Sequence, residues 1–270
     1  MHTLPDIRPW FKPVQPTIRE TVSGVSYEEL LPDERLSPFI YCYWQLKTHQ
    51  PLDEPFYYRV VADGCVDWFT DLSVGDTFYV MGFSTGYVEF PLNPSFRYVG
   101  VRFLPTAFPL LFRCDSSELT NRFEELKSVV PDASVRLSGQ VSPTCSFEEC
   151  KRQFDLYFLS HLAHTHLTID NRMFHALHLI LKSQGTINIE RDLDTGLSTR
   201  QLRRLFDFYV GDSPKVFSKV VRFQNLLNAK PSVESLRKNK LFFDLGYYDQ
   251  AHFIKEFKTM YGLTPTLALR

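Results

Sequence analysis

Along the first hundred residues, aromatic and β-branched side chains come in short runs divided by turn signals. The runs are Phe39–Leu46, Phe56–Val61, Val66–Thr70, Thr77–Met81, Tyr87–Phe90 and Phe96–Phe103, and the breaks include Asp63-Gly64, Gly75-Asp76 and Asn93-Pro94. Within the last run, Arg97, Val99, Val101 and Phe103 alternate with Phe96, Tyr98, Gly100 and Arg102, a period of two that favours a strand. Short strands at this spacing predict a small antiparallel barrel or sandwich. Residues 1–30 are punctuated by Pro5, Pro9, Pro13 and Pro16 and are expected to run extended around a domain.

Near residue 105 the period lengthens. Thr106–Phe112 and Ser116–Phe123 are expected to be helical, and Ser146 with Glu149 forms a capping box for a helix reaching about residue 162. Its apolar positions, Phe147, Cys150, Phe154, Tyr157, Phe158, His161 and Leu162, keep helical spacing. From about 170 onward nearly everything is helical, which places a domain boundary at 163–170. The two domains are then 1–165, β-rich, and 170–270, all-α.

Charge sharpens this division. Residues 170–270 hold 16 Lys+Arg against 10 Asp+Glu, whereas the remainder holds 14 against 21. A basic C-terminal third fits a polyanionic partner such as duplex DNA. There is no apolar run long enough to span a membrane, and Met1-His2-Thr3-Leu4-Pro5-Asp6 lacks the basic and apolar regions of a secretory signal. Five cysteines without a Cys-x-x-Cys spacing suit a reduced, cytoplasmic setting.

Two C-terminal segments carry chemistry. In the first, Gly196 to Phe206, Ser198 and Gln201 form a capping box, and Leu202, Leu205, Phe206 and Tyr209 mark the inner face. Arg200, Arg203 and Arg204 fall on the other face, where a guanidinium can donate two bonds to guanine O6 and N7. In the second, Gly246 to Phe257, Asp249 caps a helix whose Phe253 and Phe257 point inward. Gln250, Ala251, Ile254 and Lys255 are left outward; Gln can bond adenine, and Ala and Ile can meet a thymine methyl. Between the units, Ser213-Pro214 starts an amphipathic helix that serves as a rigid spacer, with Lys215 placed for phosphate. A solvated charged face is the commoner meaning of such arginines, but their pairing with a second unit favours DNA.

These residues resemble the DNA-binding domain of AraC/XylS-type bacterial transcription regulators. The carriers are Ser198-x-Arg-x-Leu-x-Arg-x-Phe206, Gly211-x-Ser-Pro214, Arg222, Gly246-Tyr-x-Asp-Gln-x-His-Phe-x-x-Glu-Phe257 and Gly262-Leu-Thr-Pro265. The resemblance implies an α+β protein. Its C-terminal all-α domain has two helix-turn-helix units, and its N-terminal domain is a cupin-like antiparallel β-barrel with flanking helices. Val60–Asp67 and Tyr98–Pro105 look more loosely like the β-rich sensor domain of one subgroup. The resemblance also implies duplex DNA as partner, with an effector, RNA polymerase and a second copy of the chain as further candidates. The family usually carries a small alanine in each supporting helix; here those places hold Asp192 or Leu193, and Phe242.

Other motifs add little. His161, His164 and His166, with His175 and His178, share helix faces, yet no carboxylate or cysteine completes a metal set; a polar surface between domains is the better reading. No Gly-rich phosphate loop, Gly-x-Ser-x-Gly elbow or His-Glu-x-x-His occurs, so no catalytic residue, metal or cofactor is expected. Trp44, Tyr58, Cys65, Asp67, Trp68 and Arg97 are candidates to line an effector pocket, although core packing and turn chemistry would also account for them. Two rival functions stand beside the regulator. One is a small-molecule-binding or enzymatic barrel with a degenerate helical appendage; the other is an adaptor whose basic helices bind an acidic protein.

Overall fold

The computed structural model describes residues 4–16, 24–75, 77–231 and 241–269, so Asp76 of the expected Gly75-Asp76 turn lies outside the described residues. Eight strands form: β1 Val25–Leu30, β2 Ile40–Thr48, β3 Phe56–Val60, β4 Val66–Asp71, β5 Tyr79–Met81, β6 Val88–Leu92, β7 Arg97–Phe103 and β8 Phe123–Glu125. Six of them make one antiparallel sheet in the order β1-β2-β7-β4-β5-β8, and β3 pairs only with β6.

The sheet does not close, which corrects the barrel expectation. The reason lies in β2, β4 and β7, which carry large apolar groups on both faces. Tyr43, Trp68 and Val101 point one way and Trp44, Phe69 and Tyr98 the other, so each face needs its own cover. Helices α1 (Ala107–Phe112), α2 (Leu126–Val129), α3 (Pro131–Leu137) and α4 (Phe147–His164) follow the strands. Helices α1 and α4 cover the first face: the Trp68 ring lies 5.8 Å from Phe108 and 5.6 Å from Phe158, and Tyr43 stacks on Phe154 at 5.3 Å. A two-stranded ribbon of β3 and β6, which β4 and β5 separate in sequence, covers the second, its register pairing Tyr58 with Phe90.

Two strands escaped the sequence reading. Strand β1 is an edge whose Glu28 and Glu29 face solvent, so its pattern is too polar to announce itself. Residues 116–123, expected as helix, form one tight turn at Ser116–Leu119 capped by Asp115; Phe123 then leaves to pair in β8. The N-terminal segment does wrap the domain, with Ile7, Phe11, Val14 and Gln15 buried.

The C-terminal region is helical: α5 (Asn171–Lys182), α6 (Thr199–Val210), α7 (Pro214–Ala229), α8 (Leu241–Asp244), α9 (Gln250–Tyr261) and α10 (Pro265–Ala268). The expected caps hold. Ser146 and Ser198 each complete a capping box, Ser213 and Asp249 cap α7 and α9, and Pro214 opens α7. Where α6 would need a supporting helix, the chain makes a single turn closed by Asp192 N–H donating to the Asn188 carbonyl (2.9 Å).

Candidate functional site

Helices α6 and α9 present the residues expected to face DNA. Apolar residues on one side of α6, Leu202, Phe206 and Val210, are buried, which turns Arg200, Arg203 and Arg204 outward. The Arg203 side chain is 71% exposed, with only a loose 3.8 Å approach to Asp207. On α9, Phe253, Phe257 and Met260 point inward, leaving Gln250, Ala251 and Lys255 exposed and Ile254 36% exposed. Lys215, in the first turn of α7, is also exposed. All eight residues are therefore free to meet a partner.

A buried charge network fixes α9 against the spacer helix α7. Arg222 on α7 donates to Glu256 on α9 (3.1 Å) and to the Gly246 carbonyl (3.1 Å), and its guanidinium lies 4.4 Å from the centre of the Tyr247 ring. Glu256 is buried and is further approached by Lys219 at 3.5 Å and His252 at 3.7 Å. A buried carboxylate on α9 shared by two cations of α7 holds one interhelical arrangement. His252 thus belongs to this framework. Phe242, at the place of the family's usual alanine, is accommodated by stacking on Phe253 at 6.2 Å.

The second feature is a cavity of about 380 Å³ between the sheet and the β3–β6 ribbon. Trp44, Asp67, Phe69, Asp71, Tyr98 and Arg102 line it from the sheet, and Tyr58, Val60, Phe90 and Leu92 from the ribbon. Gly100 lies between Trp44 and Phe69 in adjacent strands, and a Cβ there would stand 2.4 Å from the Trp44 ring. Its bare backbone lets the two rings come within 6.1 Å across it.

Asp67 and Arg102 face each other across β4 and β7. Asp67 accepts from Trp44 Nε1 (2.8 Å) and Arg102 Nε (3.2 Å), and Arg102 also lies 3.7 Å from Asp63. Burial pushes the Asp67 carboxyl up to about 6, against the pull of Arg102 and with the help of the neighbouring Asp63.

Of the six residues expected at this pocket, Trp44, Tyr58 and Asp67 line it; Cys65, Trp68 and Arg97 do not. Strand alternation sends Trp68 into the opposite face, among Phe103, Phe108 and Phe158. Arg97 shares that opposite parity and donates to Gln45 and to the carbonyls of Pro143 and Cys145. Cys65 precedes β4 and joins the main core, its N–H held by Asp63. Sequence reading missed Arg102 and Asp71, although their parity with Asp67 and Tyr98 was the available signal.

The two features are physically joined. The β3–β6 ribbon that walls the cavity is tied at one end to the last turn of α9: Ala62 N–H donates to the Met260 carbonyl (3.4 Å) and Tyr87 N–H to the Thr259 carbonyl (3.1 Å). Gln224 on α7, fully buried, accepts from Val14 N–H (2.7 Å) and donates to the Ala62 carbonyl (2.7 Å). Gln15 bonds both Val61 and Asp63, linking the same strap to the Arg102 cluster. Both exposed helices also end in a left-handed glycine cap pressed on the N-terminal region. The Gly211 carbonyl accepts from Thr120 (2.6 Å), and a Cβ on Gly262 would stand 2.8 Å from the Tyr87 ring.

Of the run of histidines, His161 is packed while His164 and His166 are exposed. His161 bonds the Leu111 carbonyl and stacks on Phe112, and His164 bonds the Ser160 carbonyl. No described helix is long and apolar enough to cross a membrane.

Comparison with known proteins adds a family to this geometry. Residues 194–270 match the family described as a helix-turn-helix domain, and residues 28–125 match a domain of unknown function (DUF6597). No curated protein matches the chain. Crystal structures of ToxT from Vibrio cholerae are similar over most of their length. One, from strain O395, is 11% identical with a TM-score of 0.37, covering 92% of this chain and 98% of that chain. Another, at 1.65 Å resolution, is 10% identical with a TM-score of 0.39, covering 91% and 97%. Likeness at that level carries no structural conclusion. The family match and the two exposed, glycine-capped helices together show that the C-terminal part of this chain is an AraC-type helix-turn-helix domain, a DNA-binding module of transcription regulators.

Proposed function

We propose that the protein is a sequence-specific DNA-binding regulator of transcription, acting in the cytoplasm. Its N-terminal region (1–165) senses a small molecule or partner, and its C-terminal region (170–270) reads duplex DNA. Arg200, Arg203 and Arg204 read one major groove and Gln250, Ala251, Ile254 and Lys255 the next, with Lys215 on phosphate. One observation carries the sensing role: the β3–β6 ribbon walling the cavity is bonded at one end to the last turn of α9. A molecule that spreads or draws in the ribbon acts on that turn. Occupancy then shifts the population of DNA-binding geometries, provided the ligand binds one geometry more tightly. RNA polymerase and a second copy of the chain are further partners within this reading.

The single turn at Asn188–Asp192 favours a second reading, a ligand-binding protein whose DNA-binding domain has decayed. Selecting bound fragments from genomic DNA, with and without cell metabolites, separates the two. The regulator yields a shared sequence whose recovery changes with metabolites. Random recovery at all salt concentrations would support decay.

A further inference from the structure

We propose that the cavity takes an aromatic molecule bearing a basic nitrogen, with its ammonium group held at Asp71. The proposal rests on the sensor reading above and names the ligand class of that same cavity. Three charged side chains line the space: Asp67, Asp71 and Arg102. The one cation is already committed, because the Arg102 guanidinium sits between Asp67 at 3.2 Å and Asp63 at 3.7 Å. An incoming carboxylate or phosphate would meet no free positive charge there.

Asp71 is different. It is 9% exposed, and its Oδ1 accepts from Ser73 N–H (3.0 Å), Ser73 Oγ (2.7 Å) and Arg97 N–H (3.1 Å). Its Oδ2 accepts no hydrogen bond of good geometry among the described residues, although the Tyr98 hydroxyl lies beside the carboxylate, and burial together with Asp71 raises that hydroxyl's pKa. A buried carboxylate oxygen without a donor is unfavourable, and an ammonium N–H supplies both the donor and the opposite charge. The surroundings suit the rest of such a molecule. The Tyr98 ring lies 6.2 Å from Phe69, and Phe69 lies 6.1 Å from Trp44, so aromatic faces run along the wall beside Asp71. Aromatic faces also stabilise a nearby cation and repel an anion.

The test uses three probes with one ring system and different charge: tryptamine, tryptophol and indoleacetate, titrated calorimetrically into the full-length protein. Tryptamine should bind about tenfold more tightly than tryptophol, with indoleacetate weakest. Asp71→Asn should bring tryptamine and tryptophol to within about twofold of each other by removing the charge. Indoleacetate matching tryptamine, an undiminished amine preference in D71N, or no binding by any probe would each overturn the proposal. The ranking on the unaltered chain stands without the variant, should D71N fail to fold.

Repeating the titrations with a selected DNA fragment separates this proposal from the sensor reading. Asp71-dependent amine binding that leaves DNA affinity unchanged supports the ligand class and contradicts sensing. Indoleacetate binding that changes DNA affinity does the reverse.

Discussion

The two units proposed to face DNA are built from different materials. The first carries its chemistry as charge: three exposed arginines on α6 stand beside a supporting segment reduced to one turn. The second carries little charge on its outer face, only Lys255 beside Gln250, Ala251 and Ile254, but α9 is locked to the spacer helix through Arg222, Glu256 and Tyr247. Long arginine side chains can find guanine or phosphate without exact placement of the helix that carries them. Amide and methyl contacts tolerate no such slack, because their reach is short and their energy depends on fit. The difference suggests that the first unit supplies attraction and the second supplies register.

The framework is where this contrast breaks most severely. Arg222→Ala should cost about 3 kcal/mol, because it leaves the buried Glu256 carboxylate with only Lys219 and His252 nearby. Asn188→Ala in the first unit should cost about 1 kcal/mol, the worth of an exposed cap whose Oδ1 accepts from two backbone N–H groups. Urea denaturation of the full chain measures both. Equal losses would remove the distinction between the units.

Next in size are the reading residues. Arg203→Ala and Arg204→Ala should each weaken operator binding by about 1–3 kcal/mol and lower the salt dependence. Gln250→Ala should cost a similar amount at the cognate sequence while leaving the salt slope unchanged. Lys215→Ala should weaken all sequences alike. A salt-controlled shift assay on matched and mismatched duplexes distinguishes these patterns.

The glycine caps sharpen the comparison between the two seats on the N-terminal region. Gly211→Ala and Gly262→Ala each force a side chain into a left-handed conformation, at φ of +112° and +91°, costing about 1 kcal/mol. Each new methyl also meets a neighbour, Thr120 Oγ1 at 2.6 Å for Gly211 and the Tyr87 ring at 2.8 Å for Gly262, which adds to both losses, and Gly262→Ala should cost less in a Tyr87→Ala background. An additive double-mutant cycle would mean the ring does not bear on the cap.

The smallest effect is one of pH. Asp67 titrates near 6 in the folded chain and near 4 when unfolded, so between those values only the folded form takes up its proton. Its contribution to stability therefore rises as pH falls through that window. Asp67→Asn should remove that slope from a pH series of denaturation midpoints.

Much of this was legible in the chain because local signals and tertiary demands agree. The capping pairs Ser146–Glu149 and Ser198–Gln201, the proline at the start of α7 and the apolar stripe of α9 state the helices outright. Strands β2 to β7 were equally plain, unlike β1 and β8, but their closure was not: which strand pairs with which is decided by long-range packing, and β3 and β6 choose each other. Half of the expected pocket was misplaced for a related reason. Residues adjacent in sequence, such as Asp67 and Trp68, go to opposite faces of the sheet, and composition does not say which face holds the cavity. The contacts between the β3–β6 ribbon and α9 run through backbone groups of Ala62 and Tyr87, which leave no trace in side-chain pattern.

Base-contact interference mapping on a selected operator bears most directly on the claim that α6 and α9 read one duplex together. Two clusters of interfering positions about one helical turn apart on one face, with Arg203→Ala erasing one and Gln250→Ala the other, is the predicted result. A single cluster sensitive to both substitutions, or no cluster at all, would contradict it.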